Sequence, residues 1–471
     1  MFDDGREFDC PLTPLEVLQR WPAQTPVMLL HAGRYDPRWA NTSILAASGN
    51  FDDAFRVTLD EHDRPVLHHH GGQHRNVDVF AALDALLAED DALYLGAFSY
   101  DVARIIESLP RRAKRDGDWP VIQLQRCTGF ATYDLATQQW RLHGRWINSP
   151  PPEIPPEVPP EVFSQTPSEI SPQAAKAAQP ISRFSPAFSH GPIAPDLSRS
   201  AVEAKVQRTI DYIAAGDIFQ ANIAQRFCFD FQGDPRRLSL QLARQAPAWY
   251  AAHLELPAAD PAVRQVLASS SPELFLAVDA NRTVTTRPMK GTRPASAPAQ
   301  ELADSEKDRA ELNMIVDLMR NDLGRVCDIG SVRVAEPRTI ETHPTVHQAV
   351  STVTGRLPAR CGLGELLRAT LPGGSITGAP KVRAMQIIDE LEPVRRGPYC
   401  GAIGWLRRGQ MTLAMTIRTL LLESKITGET HSGRGSYSVG AGIVADSSPA
   451  GEYAEMLDKA AAIRRALDEA K

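Results

Sequence analysis

Between Pro150 and Pro160, seven of eleven residues are proline, and a Ser/Pro/Ala-rich stretch continues to about Pro195. Proline lacks a backbone donor and fixes its φ, so neither a helix interior nor a central strand runs through such a segment. It is extended, polyproline-like and has little to bury. The chain is therefore read as an N-terminal region, 1–147, a linker, 148–198, and a C-terminal region, 199–471. No basic residue stands among the prolines, which favours a spacer over a ligand for a proline-binding module. At 43% hydrophobic residues, the chain has enough apolar side chain for two ordinary domains or one large two-sheet body.

The net charge of -6 offers no basic footprint for nucleic acid or membrane, so an anionic ligand has to be met by locally placed cations. The six cysteines (Cys10, Cys127, Cys228, Cys327, Cys361 and Cys400) contain no CxxC pair, as expected of reduced thiols rather than a disulfide frame or zinc site. The opening Met1-Phe2-Asp3-Asp4 is acidic rather than a basic and apolar leader, and no apolar run approaches the roughly 20 residues of a membrane-spanning helix. A cytoplasmic protein is expected. His68, His69, His70 and His74 cluster beside Gly71-Gly72, where a solvated loop is favoured over a metal site.

The C-terminal region alternates helix and strand periods. Val202, Val206, Ile210 and Ile213 predict a helix ending at Gly216. Phe219, Ala221, Ile223, Phe227 and Phe229 then alternate with Gln220, Asn222, Ala224 and Arg226, the period of a strand with one apolar and one polar face. Met411, Leu413, Met415 and Ile417 alternate with Thr412, Ala414, Thr416 and Arg418, which puts one arginine among small residues, as on a pocket floor.

Two helices carry carboxylates on the wrong face. Leu312, Ile315 and Met319 define an apolar stripe with Asp308 in its middle and Glu311 at its edge. On the last helix, Glu452, Glu455 and Lys459 line up with Met456 and Ile463, whereas Arg464 and Arg465 point elsewhere. Each acidic pair has i, i+3 spacing and projects in nearly one direction. Unpaired buried carboxylates cost several kcal/mol each, so counter-ions are expected. Lys459 supplies one, and a hard divalent cation such as Mg²⁺ would supply the rest. Salt-bridged positions at the rim of the fold are the other reading.

The run LPGGSITGAPK, 371–381, mimics a phosphate-binding loop but has Ala379 after Gly378 where lysine must stand, which excludes nucleotide binding. What remains is a glycine-rich helix start, with Pro380 in the first turn, suited to an anion such as a carboxylate. Gly440-Ala441-Gly442 permits close backbone approach, or is simply a tight strand. Glu273 begins an apolar strand, and a turn at Asn281 leads back to TRPMKGTRP, 286–294, so a hairpin can bring Glu273 and Lys290 to one end of a sheet. In a buried pocket the two are complementary, a carboxylic acid to protonate a leaving hydroxyl and a desolvated amine as nucleophile.

These residues resemble the chorismate-utilising enzymes, a family that includes anthranilate, aminodeoxychorismate, isochorismate and salicylate synthases. The likeness covers nearly all of 199–471 and is strongest in KDRAELNMIVDLMRND (307–322), LPGGSITGAPKVRAMQIIDELEP (371–393), RGPYCGAIG (396–404), TIRT (416–419) and GAGIVADSSP followed by EYAEMLDK (440–459). VMLLHAG (27–33) and AFSYDVARIIESLP (97–110) carry it more weakly. The resemblance implies an α+β fold of two large antiparallel sheets packed face to face with helices outside, a four-layer sandwich like anthranilate synthase component I. It implies Glu311 and Glu455 as magnesium ligands with Asp308 and Glu452 close by. Tyr399, Arg418, Gly440, Gly442 and Lys459 match positions that hold the carboxylates of chorismate, and Glu273 matches the general acid.

Two positions choose among the members. Isochorismate and salicylate synthases carry a water-activating lysine where this chain has Gln220, on the substrate side of its strand. Anthranilate synthases usually read PIAGT and aminodeoxychorismate synthases PIKGT, whereas this chain reads Pro288-Met289-Lys290-Gly291-Thr292, with Thr292 also expected at the substrate. The resemblance thus implies amination of chorismate at C4: Lys290 adds at C2 while Glu273 protonates the departing 4-hydroxyl, and ammonia then attacks C4 and expels the lysine. A separate glutaminase is the implied ammonia source, since no amidotransferase segment stands out. Anthranilate synthase component I and a non-catalytic chorismate-binding subunit are the alternatives. The chain departs from the family at Gln348, where VxHLVS has histidine and His347 is only its neighbour, and at Ala32, where a serine is frequent and tryptophan binds in relatives.

Overall fold

The computed structural model describes residues 4–49, 51–69, 72–151, 188–258, 260–343, 346–427 and 430–470. Most of the proline-rich spacer and His70 of the histidine cluster lie outside the described residues. His68 and His69 stand on a strand, Pro65–His69, paired with a second, Gly72–Arg75, that carries His74. That hairpin replaces the expected loop, and His68 is tied to Thr58 at 2.9 Å. Among the described residues no helix is long and apolar enough to cross a membrane.

Two antiparallel sheets form the body, and both are built jointly by the two regions that flank the spacer. In the first sheet, Val27–His31 pairs with Tyr250–Pro257, joining N-terminal strands to the series Val263–Ser271, Thr419–Thr427, Thr430–Ile443 and Gln220–Gln232. In the second, Leu93–Phe98 pairs with Ala402–Arg407, joining N-terminal strands to Gln410–Met415, Leu274–Val278, Thr283–Thr286, Val346–Arg356 and Met289–Pro294. Of the two architectures that composition allowed, the single two-sheet body is the one formed. Met28, Ile44, Leu254, Leu267 and Leu421 of the first sheet meet Leu93, Leu95, Ile403, Trp405 and Ala414 of the second in a shared buried cluster, so the sheets pack face to face.

Helices flank the sheets. Arg199–Ala214 starts at Ser198, whose hydroxyl accepts from the Ala201 amide, and ends as expected near Gly216, whose φ of +82° is a left-handed turn that glycine adopts without strain. It packs with Pro449–Glu469 against the strand pair Gln220–Gln232 and Thr430–Ile443. Glu306–Gly324, capped by Ser305, packs on Val346–Arg356 and Met289–Pro294.

A buried ion cluster fastens the N-terminal segment to this body. Glu255 lies 2.6 Å from Arg236, 3.1 Å from Arg264 and 3.0 Å from His253. The arginines in turn donate to the carbonyls of Pro22, Ala23, Gln24 and Thr25. These cations hold the Glu255 carboxyl far below the usual range against the opposing effect of burial. Replacing Glu255 by leucine would strand two buried guanidinium groups, and a loss of about 3–5 kcal/mol in urea unfolding is expected. A loss under 1 kcal/mol would show that water reaches the cluster.

Candidate active site

The chain passes from the first sheet to the second at Ser271–Leu274 and returns at Met415–Thr419, and the two crossings run side by side. The Met415 amide donates to the Glu273 carbonyl at 3.0 Å, and the Ser270 amide donates to the Arg418 carbonyl at 3.1 Å. Glu273 and Arg418 are thereby brought to one seam between the sheets. The expected strand through Arg418 stops at Met415; Arg418 sits in the crossing with φ of +50°. Backbone pairing there is given up so that the chain can change sheets, which period-2 alternation does not reveal.

Glu273 is buried, and burial pushes its carboxyl up to about 7, against a hydrogen bond from Ser375 and the charges of Arg418 and Lys290. The Ser375 hydroxyl donates to Glu273 Oε1 at 2.8 Å. Ser375 belongs to the glycine-rich run. Pro380 is the cap residue before Lys381–Leu391, and the Lys381 ammonium is turned to Asp322. A β-carbon on Gly378 would lie 2.1 Å from the Gln220 carbonyl oxygen, and one on Gly374 would lie 2.6 Å from Leu318. The glycines let the loop lie flat on its neighbours and deliver Ser375 to the acid.

Register places the next residues. Asn222 pairs with Gly442 and Ala224 with Gly440 across strands Gln220–Gln232 and Thr430–Ile443. A β-carbon on Gly442 would sit 2.8 Å from Gln220 Nε2 and 2.9 Å from Lys290 Nζ; on Gly440 it would sit 3.0 Å from both Asn222 Nδ2 and the Tyr399 hydroxyl. Both glycines therefore keep a floor open against Gln220, Lys290, Asn222 and Tyr399, the close-approach reading of the segment. Lys459 donates to the Gly440 carbonyl at 2.9 Å. Gln220 and Asn222 are buried as expected of a pocket face, but Phe219 is 71% exposed and precedes the strand. Gln220 Oε1 and Thr416 Oγ1 are buried with no hydrogen-bond partner among the described residues. Buried acceptors are rarely left so, and here they face the same floor and crossing that a ligand would occupy.

Lys290 joins Glu273 at this end of the second sheet, its ammonium 2.7 Å from Glu311 Oε2. The neighbouring Thr292 is exposed and pairs in register with Gln348. His347 is held by Thr342 at 3.0 Å and the Ala297 carbonyl at 3.1 Å, and successive strand residues face opposite ways, so Gln348 lies on the other face from it.

The helical wheel misjudged individual acids. Glu311, placed at the stripe's edge, is buried, whereas Asp308, placed in its middle, is half-buried in the first turn and paired with Arg293 at 2.8 Å. On the last helix, Glu452 is buried with Met456 and Ile463, but Glu455 and Lys459 keep side-chain exposures of 52% and 41% and pair with each other at 2.8 Å. A wheel averages over a helix, while burial depends on where the helix leaves the sheet. Burial raises the Glu452 carboxyl, opposed by a hydrogen bond from Ser447 and reinforced by Glu455; Glu455 is lowered because Lys459, Lys290 and Lys307 outweigh its own burial.

No three acidic, histidine or cysteine side chains among the described residues form a ready metal cluster. The donors nevertheless fit a hard cation: Glu311, Glu452 and Glu455 offer carboxylate oxygens, and the ammonium groups of Lys290 and Lys307 stand among them as the positive charge. Sequence reasoning gave no role to Ser375, Asn222 or Lys307. Asn222 had a signal in sharing Gln220's side of its strand, and Lys307 in its i, i+4 spacing from Glu311; Ser375 had none beyond its glycine-rich surroundings.

Residues 39–465 match the family described as chorismate binding enzyme. The chain is 39% identical over 382 residues to aminodeoxychorismate synthase component 1 of Klebsiella aerogenes, covering 79% of this chain and 77% of that one. It is 38% identical over 389 residues to an anthranilate synthase component 1 of Haloarcula marismortui, covering 80% and 76%. Its fold is similar to the crystal structure of anthranilate synthase component I from Streptococcus pneumoniae, with a TM-score of 0.71 and 26% identity over 91% of this chain and 93% of that one.

Proposed function

The chain belongs to the chorismate-binding enzyme family, and from that premise we propose that it converts chorismate and ammonia to 4-amino-4-deoxychorismate, a precursor of p-aminobenzoate and folate. The observation that carries this reading is Lys290, an amine 2.7 Å from Glu311 and above the open floor at Gly442, in the same pocket as an acid poised to donate.

Tyr399, Arg418, Lys459 and the backbone at Gly440 and Gly442 bind and orient the two carboxylates of chorismate, with Gln220 accepting from the ring substituents. Lys290, once its ammonium has passed a proton to water, adds its lone pair at C2; the two ring double bonds shift, and the C4–O bond breaks as Glu273 gives its proton to the oxygen, which leaves as water. Ammonia then attacks C4, and the reverse shift expels the lysine. The enolpyruvyl ether is untouched, so a lyase must act afterwards to release pyruvate. Glu311 and Glu455, assisted by Asp308 and Glu452, would hold Mg²⁺. When bound, Mg²⁺ would neutralise the ring carboxylate and polarise the system as the C–O bond breaks. A separate glutaminase subunit supplies the ammonia, in keeping with relatives named as component 1.

The second reading, anthranilate synthesis, is favoured by the similar identity to the Haloarcula enzyme. A non-catalytic binding subunit would have no use for a carboxyl held near 7 beside a lysine. Mass spectrometry of products after incubation with chorismate, Mg²⁺ and ammonium separates the three. Aminodeoxychorismate without released pyruvate is expected. Anthranilate with pyruvate would move the protein to the second reading, and intact chorismate would leave only binding.

A further inference from the structure

Each candidate cation ligand on the two acidic helices already has a partner from the chain. Glu311 holds Lys290 at 2.7 Å, Asp308 holds Arg293 at 2.8 Å, Glu455 holds Lys459 at 2.8 Å, and Glu452 accepts from Ser447 at 2.6 Å. A second ammonium, Lys307, stands 4.0 Å from Glu311 Oε1 and is 57% exposed. Lys290 differs from the other cations in that it is also the proposed nucleophile.

We propose that Lys290 and the divalent cation compete for Glu311, so that the cation settles only as the lysine leaves and each event drives the other. The inference rests on the metal assignment above. Mg²⁺ requires oxygen donors at about 2.0–2.1 Å. An ammonium nitrogen 2.7 Å from the same carboxylate oxygen would stand against that doubly charged ion with little water between them. Pairs shielded from solvent are poorly screened, so the repulsion persists at physiological salt. Thermodynamic reciprocity then fixes the converse: a lysine that weakens the cation is itself loosened by the cation.

The pocket has a place for the released amine. Lys290 Nζ is 2.9 Å from the point where a side chain on Gly442 would begin, next to Gln220, whose Oε1 has no hydrogen-bond partner among the described residues. Displacement therefore moves the amine across the open floor, toward the space a ligand would fill, and not out to solvent. In the resting protein Glu311 holds the lysine, and the arrival of the cation makes it available.

The test uses Mn²⁺ as the probe, titrated into the full-length chain without chorismate and followed by the electron paramagnetic resonance of the free ion. Wild type is compared with Lys290→Met, Lys290→Arg, Lys307→Met and Glu311→Gln, each checked for unchanged circular dichroism and melting. Lys290→Met is expected to bind Mn²⁺ more tightly by roughly tenfold, a typical coupling. Lys290→Arg, which keeps the charge on Glu311, should stay near wild type, and Lys307→Met should gain less than Lys290→Met. Unchanged or weaker binding by Lys290→Met overturns the competition. Equal gains from both methionine variants also overturn it, by reducing the effect to general charge. If Glu311→Gln loses Mn²⁺ while Lys290→Met is unchanged, the metal assignment stands and the competition alone fails. If no variant binds Mn²⁺ even with chorismate added, both fall together.

Discussion

Glu273→Gln should lower kcat by about 10²–10⁴-fold, the range of a deleted general acid, and should remove the alkaline limb of the pH–rate profile near pH 7. Glutamine keeps the size and the contact with Ser375 but has no proton to give. The wild-type carboxyl is raised to about 7 because it is buried, so its protonated, donating fraction falls as pH rises through that value. The same shift acts on stability. Between the model-peptide value of about 4.5 and 7, the folded state retains a proton that the unfolded chain has lost, so stability declines with rising pH. Above 7 the full cost of charging the buried group, on the order of 3 kcal/mol, is present. Glu273→Gln escapes that cost, so its melting temperature should exceed that of wild type at pH 8.5 and approach it at pH 5. A variant that retains both the rate and its alkaline limb would remove Glu273 from the proton transfer.

Lys290→Ala should abolish amination, with a loss of roughly 10⁴-fold or more, as when a nucleophile is deleted. Chorismate binding, followed by fluorescence quenching, should survive, because the groups proposed to bind its carboxylates, Tyr399, Arg418 and Lys459, lie outside the strand that carries Lys290. When ammonia is withheld, the intact wild-type protein should gain the mass of a dehydrated chorismate on the peptide containing Lys290, and Lys290→Ala should not. Lys290→Arg should fail to rescue turnover, since a guanidinium stays protonated and cannot add to carbon. Full amination by Lys290→Ala would leave the lysine only a positioning group, and only anthranilate with released pyruvate among the products would reopen the anthranilate reading suggested by the Haloarcula relative.

Much of the local structure was legible before the fold was seen. The apolar stripe of Leu312, Ile315 and Met319 lies on a helix that buries it, and the alternation in Gln220–Gln232 lies on a strand. These patterns are legible because burial of one face repeats at the period of the backbone itself. The hairpin that brings Glu273 and Lys290 together was readable too, since its turn at Asp279–Arg282 is local. Errors came where the answer depended on distant chain. Arg418 was placed on a strand that ends three residues before it; Glu455 and Lys459 were placed inside although they stand at the helix flank. The close packing of Gly378 against Gln220 and of Gly374 against Leu318 was likewise not readable from the glycine-rich run alone.

By itself the sequence determined the chemistry available to this protein. An acid, an amine, two acidic helices and glycine segments of a particular spacing follow from residue identity and backbone period, and the family resemblance that the motifs carry implied the two-sheet fold. Only the tertiary structure decided what each group meets. It brought Glu273 and Arg418 to one seam by sending the chain twice between sheets, raised the acid by burying it, and set Lys290 against Glu311. Period and propensity report a residue's own turn or strand, whereas desolvation and ion pairing are set by neighbours remote in the chain.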